Sequence, residues 1–284
     1  MKRLLNNITF FTPTIWQSCI LLFLFIIGGT LLALIFQSFT TNLLIIYIIQ
    51  FIPTIIYIIV QSNIIANRST NPFPDNISQK IKKIPISERQ IGDINPILFL
   101  LIIALLTLSI GILLDPLTSI FKLPEFLKKA FELSLSSIYG IISIVVAAPI
   151  CEEFLMRGMI ERGIIINDNP KRAIVISAIL FGIIHMNPWQ AIPAIIMGLF
   201  LGWIYYRTHS LLSVIFIHFI NNGSSTLIYL LNPSIGLDTT LKEIIPLNIY
   251  LLLYVFCIII TILLLVFLNK KLPTNIFEKY KNHE

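Results

Sequence analysis

The chain has 284 residues, 56% of them hydrophobic and only 12% charged, and its mean hydropathy is +0.89. Soluble domains carry roughly 25% charged residues, so this balance excludes an ordinary water-soluble fold and points to a membrane. The formal net charge of +6 does not indicate nucleic acid, because the basic residues sit in loops between apolar runs, where they set topology.

In chain order, the basic start Met1-Lys2-Arg3 leads into the apolar run Ile15–Phe36. That run is too long for a signal-peptide core and reads as a retained first span. Leu43–Val60 is the second span, with Pro53 predicting a kink. A polar loop, Ser62–Asn95, follows and reads as a connector, and Pro96 opens the third span, Ile97–Leu114. The stretch beginning at Pro124 has the pattern of a short amphipathic helix at the interface. The fourth span starts near Ser136, runs through Pro149 and is expected to surface around Glu161 and Arg162. Asn169-Pro170 caps a short fifth, Ala173–Met186. The sixth is Trp189–Tyr206, the seventh Leu211–Leu231 and the eighth Ile249–Leu268, before a basic tail from Lys270 to Glu284.

The expected architecture is therefore an all-α, polytopic integral membrane bundle of about eight transmembrane helices. Eight spans put both termini on one side. On that assignment sixteen of the 20 basic residues lie on the side of the termini, which predicts that both are cytoplasmic. Richness in isoleucine, asparagine and lysine fits an AT-rich bacterial genome, and hence a bacterial plasma membrane. Cys19, Cys151 and Cys257 are far apart and form no CxxC, which argues against a zinc ribbon or a disulfide framework.

Charges at membrane depth are expensive and are usually kept for function. Three constellations on three spans stand out. The first is Glu152-Glu153 with Arg157: Glu153 and Arg157 are four apart and can pair, while Glu152 is rotated about 100° away and faces another neighbour. The second is Phe181 with His185, also four apart. The third is His218 with Asn222, with Asn221 beside it. Taken singly, each has an ordinary structural reading: a buried ion pair, a core histidine, or helix–helix glue. Counted at about 1.5 Å per residue from the nearest flanking charges, Glu152 lies ~14 Å deep, His185 ~20 Å and His218 ~14 Å, so one intramembrane site can collect all three.

A carboxylate, two imidazoles and an amide around a wet cavity can perform hydrolysis. A shielded glutamate can act as general base on water, with one histidine polarising that water. The other histidine and the amide can donate to a tetrahedral oxyanion. Glu152, His185 and His218 could equally hold Zn²⁺ with an open fourth position, and the residues alone do not choose. Other intramembrane protease chemistries lack support: there is no HExxH, no GxSxG, and Asp115 and Asp238 both fall in loops away from the expected site.

Glu152-Glu153-Phe-Leu-Met-Arg157, Phe181-Gly-Ile-Ile-His185 and His218-Phe-Ile-Asn-Asn222 resemble, in order, the three motifs of the CAAX-protease and bacteriocin-processing family of intramembrane endopeptidases. The resemblance spans about Ile141 to Leu231. It divides the chain into N-terminal helices with a loop (1–140), a catalytic domain (141–231), and a last helix with its tail (232–284). It implies that Glu152 is the water-activating glutamate with His185 as its partner, that His218 and Asn222 form the oxyanion site, and that Glu153, Arg157 and Phe181 support them. It further implies metallopeptidase-type hydrolysis of a peptide or membrane-protein substrate, for CAAX-type processing, bacteriocin maturation or self-immunity. His209 stands where members often have glycine, in a loop where it is expected to matter little. The competing readings are a non-proteolytic immunity or scaffold protein on the same fold, and a proton-coupled carrier. The latter is disfavoured by the lack of an inverted repeat. Neither substrate nor oligomeric state is readable.

Overall fold

The computed structural model describes residues 6–70, 83–118, 120–121, 123–232, 236–274 and 276–281. The Met1-Lys2-Arg3 start, residues 71–82 of the polar loop, Lys122 and the end of the tail lie outside the described residues. The described residues are helical with no strand. We label the helices α1 (15–36), α2 (Leu43–Gln50), α3 (Ile52–Thr70), α4 (Pro96–Thr118), α5 (Glu125–Leu135), α6 (Ile138–Asn167), α7 (Pro170–Ile183), α8 (Pro188–Thr208), α9 (Leu211–Leu231), α10 (Leu241–Ile244) and α11 (Leu247–Lys271), followed by a 3₁₀ turn, Ile276–Tyr280.

Among the described residues seven segments are long and apolar enough to cross a membrane: Ile15–Phe36, Leu43–Arg68, Pro96–Leu117, Ile138–Asn167, Pro188–Thr208, Leu211–Leu231 and Leu247–Lys271. The chain is thus a polytopic all-α membrane protein. The expected fifth span is α7, whose 14 residues rise only about 21 Å, short of a ~30 Å hydrocarbon core. It forms a hairpin with α8. The turn joining them, Ile184–Asn187, carries the left-handed Met186 (φ 57°) and is closed by Asn187, whose side chain caps α8 and donates to the His185 carbonyl. Non-helical backbone at such depth is tolerated where protein buries it or a cavity receives it.

Buried polar contacts fix which helix ends come together. Arg162 donates to the carbonyls of Phe11, Ile84 and Gly158. Arg207 donates to the carbonyls of Asn269, Leu272 and Pro273 and to the Asn269 side chain. The entry to α1, the entry to α4 and the exits of α6, α8 and α11 therefore share one end of the bundle. The opposite end holds α5 and α10, where Asp115 accepts from the Leu241 amide and Lys128 pairs with Asp238 at 3.4 Å. Asp115 lies within α4 rather than in a loop.

Two expectations about this end require correction. Arg157, Glu161 and Arg162 are fully buried, so α6 does not surface at Glu161 and these residues are not loop charges. The helix continues to Asn167, because Arg162 finds three protein carbonyls and does not need water. His209 is not an inconsequential loop residue either. It is buried, left-handed (φ 46°), packed at a tilt against Phe277 (4.5 Å between ring centroids), and its Nε2 contacts the Pro85 carbonyl at 2.9 Å. The segment from Ile84 to Gln90 is strapped across this end: the Glu88 and Gln90 amides donate to the His209 and Thr208 carbonyls, and the Tyr205 hydroxyl to the Ile86 carbonyl.

Candidate active site

The helix that carries the two glutamates is not a regular α-helix. Within α6, π-helical turns at Ser143–Ala147 and Phe154–Glu161 flank the α-helical segment Ala148–Glu153. Pro149 explains the first: it cannot donate a hydrogen bond, and its ring would clash with the Val145 carbonyl in a regular α-helix. Wide turns of this kind recur at functional sites. Here they set the directions in which Glu152, Glu153, Arg157 and Glu161 point.

Glu153, fully buried, lies at the centre of a charged chain. Its Oε1 accepts from Arg157 Nη1 (3.0 Å) and faces His218 Nδ1 (2.8 Å), and its Oε2 is 2.9 Å from Arg157 Nη1. Arg157 also donates to the Gly198 carbonyl (3.0 Å) and comes within 3.8 Å of Glu161 Oε2. Glu161 in turn accepts from Ser177 of α7 (2.9 Å). The Phe181 ring closes the cluster. The guanidinium lies 4.7 Å from its centroid, and the His185 and His218 rings meet its edge at 5.2 and 5.5 Å. The rotation expected between the two glutamates holds: Glu153 is tied to Arg157, and Glu152 faces elsewhere.

Glu152 is only partly buried, and its Oε1 accepts from the hydroxyl of Tyr47 in α2 at 2.8 Å. His185 sits in the α7–α8 turn rather than on the helix face, yet it stays against Phe181 and within electrostatic reach of both Glu152 and His218. Its Nδ1 contacts the Phe181 carbonyl at 2.8 Å. A carbonyl can only accept, so Nδ1 carries the hydrogen and Nε2 is left as an acceptor. Asn222 Nδ2 donates to the Ile144 carbonyl (2.9 Å), and its Oδ1 accepts from Asn221 (3.2 Å), which leaves one amide N–H uncommitted by these contacts. An apolar cavity of about 190 Å³, lined by Phe51, Ile55, Ile58, Cys151, Phe154 and Ile215 among others, lies beside this cluster between α3, α6 and α9.

The structure therefore brings together Glu153, Arg157, Phe181, His185 and His218; Glu152 is held by Tyr47 of α2, and Asn222 of α9 by the Ile144 carbonyl of α6. As arranged, Glu152, His185 and His218 do not make a metal-ligand set. Among the described residues no three His, Cys, Asp or Glu side chains come together to hold an ion. Glu152 is engaged by Tyr47 and His218 by Glu153. Three participants escape a sequence reading. Tyr47 is one tyrosine in an apolar span with nothing to mark it. Glu161 reads as a helix exit, and Ser177 as an ordinary small residue.

Residues 134–224, about a third of the chain, match the family model of type II CAAX prenyl endopeptidase Rce1-like proteins. The matched stretch contains all three motifs. No curated protein and no solved structure matches the chain. Through residues 134–224, with their glutamate pair, α7–α8 hairpin and buried His218, this multi-pass membrane chain is similar to the type II CAAX prenyl endopeptidases.

Proposed function

We propose that the protein is an intramembrane endopeptidase in which Glu152 activates water for attack on a peptide bond of a membrane-associated protein or peptide. The observation that carries this reading is the division of labour between adjacent carboxylates. Glu153 is neutralised by Arg157 and turned to His218, whereas Glu152 is partly accessible and meets only a phenol among the hydrogen bonds described.

In the proposed reaction Glu152 takes a proton from water, and the Nε2 of His185 accepts the water's second hydrogen bond and fixes its direction. With Nδ1–H given to Glu153, His218 presents Nε2 to the carbonyl under attack. Entering the reaction with a proton on each ring nitrogen and keeping both, it donates Nε2–H to the developing oxyanion while Nδ1–H stays on Glu153. The remaining N–H of Asn222 is the second donor. Glu152 then returns its proton to the leaving amine. No step runs through a metal. The apolar cavity beside Cys151 suits a greasy portion of the substrate. The cytoplasmic placement of the strapped end, inferred from the basic residues around it, puts the scissile bond towards that side of the bilayer.

The test is cleavage of a fluorogenic isoprenylated CAAX-type peptide by purified protein in micelles. Glu152→Ala, His185→Ala and His218→Ala are each expected to lower the rate by at least about 100-fold, and Asn222→Ala by about 10²–10³, with unchanged elution on gel filtration. Equal rates in all four variants and the wild type would refute the reading. Protection against a bacteriocin that survives Glu152→Ala would establish the non-proteolytic alternative.

A further inference from the structure

The matched family segment begins well after the N-terminal helices, yet one of them reaches the reacting carboxylate. Tyr47 lies on α2, and its hydroxyl is the one described hydrogen-bond donor on Glu152. We propose that Tyr47 is a positioning residue for catalysis: its phenol holds Oε1 of Glu152, so that the other carboxylate oxygen faces the attacking water. This rests on the endopeptidase reading above and adds a residue from outside the matched segment.

The placement of this phenol is built into the local fold. Asn42 caps α2, its side chain accepting from the amides of Leu44 and Ile45. The helix ends at Gln50 because Pro53 cannot donate to a carbonyl four residues back, and α3 resumes at Ile52. Gly28 and Gly29 lie in the π-turn of α1 directly against this break. A Cβ on Gly29 would strike the Gln50 carbonyl, so only glycine lets α2 sit this close. The Tyr47 ring is then wedged edge-on against Phe51 at 5.4 Å, and Phe51 packs on Phe25 at 4.6 Å. A short, capped helix thus delivers one hydroxyl to one carboxylate oxygen over a sequence distance of 105 residues.

The chemistry gives the phenol a defined task. A carboxylate with both oxygens free can rotate and share a water between them. A donor 2.8 Å from one oxygen stops that rotation. Hydrogen bonds to charged groups are strong enough that losing this one should cost about 10- to 100-fold in turnover. Substrate does not touch Tyr47 in this account, so KM should move little.

The experiment measures kcat and KM for peptide cleavage in micelles with the wild type, Glu152→Ala, Tyr47→Phe, and a protein carrying 3,5-difluorotyrosine at position 47. Tyr47→Phe keeps the ring against Phe51 and removes only the hydroxyl. The fluorinated side chain keeps the shape and changes only the donor strength. The expected result is no turnover in Glu152→Ala, a 10- to 100-fold lower kcat in Tyr47→Phe with KM within twofold, and a kcat for the fluorinated protein distinct from the wild type. A packing role would leave the fluorinated protein and the wild type equal. An inactive Glu152→Ala beside a fully active Tyr47→Phe overturns the role of Tyr47 and leaves the endopeptidase reading standing. Equal turnover in wild type and Glu152→Ala overturns both.

Discussion

Replacing Arg157 by methionine tests the buried charge chain most severely. Methionine keeps the length and apolar bulk of the arginine stem but removes the guanidinium. In the wild type that group is fully buried, lies 2.9 Å from Glu153 and 3.8 Å from Glu161, donates to the Gly198 carbonyl, and stands over the Phe181 ring. Its loss leaves two buried carboxylates facing each other and a backbone carbonyl without its donor. Breaking a buried pair by removing one partner costs about 3–5 kcal/mol, and the cation–π contact adds about 1 kcal/mol. Equilibrium unfolding in mixed micelles with rising SDS would measure this directly. The expected loss is about 4 kcal/mol in Arg157→Met, with at least half recovered when Glu153→Gln and Glu161→Gln are added, because the main penalty is uncompensated charge rather than lost packing. A loss under about 1 kcal/mol, or no recovery in the triple variant, would mean that these carboxylates are solvated or already neutral. The chain from Glu161 through Arg157 and Glu153 to His218 would then not exist as described.

The strapped end offers further tests. Burial lowers the pKa of His209 to about 4. A histidine with a depressed folded-state pKa binds fewer protons than the unfolded chain between about pH 6.5 and 4. Its contribution is therefore complete above pH 6.5 and is lost as the pH falls towards 4, by about 3 kcal/mol in all. Hydrogen exchange of residues 84–91 should accelerate over that window in the wild type and change far less in His209→Asn, since asparagine tolerates the left-handed backbone and does not titrate. A flat wild-type profile would refute this. Arg207 holds the tail through four hydrogen bonds. Arg207→Lys should expose residues 272–281 to limited proteolysis as readily as Arg207→Ala does, because a point charge cannot replace the fork. Protection of the tail in the lysine variant would contradict that.

What the sequence made legible, and what it did not, follows from the range of the interactions concerned. α1 and α9 lie where their apolar runs place them, and the break at Pro53 and the cap at Asn169 follow from local chemistry. The pairing of Glu153 with Arg157 follows from helical spacing, even though the intervening turn is π. The histidines were legible as rare polar residues in apolar segments. Tyr47 was not, since its partner is 105 residues away and an apolar span tolerates tyrosine on any face. Glu161 and Arg162 misled for the opposite reason. Charges at the end of an apolar run normally mark water, but here Ser177 and the carbonyls of Phe11 and Ile84 replace it, and those partners lie on other elements. His209 likewise reads as a loop residue until the strap from Ile84 to Gln90 folds over it.

In the proposed reaction Glu152 activates the attacking water while Glu153 is spent on Arg157 and His218. Single-turnover cleavage of the isoprenylated peptide by Glu152→Gln, with metal content measured on the same preparation, tests it most directly. Glutamine keeps the shape and still accepts from Tyr47 but cannot take a proton. The expected rate is at least about 100-fold below the wild type whatever the metal content. Cleavage by Glu152→Gln at the wild-type rate would contradict it.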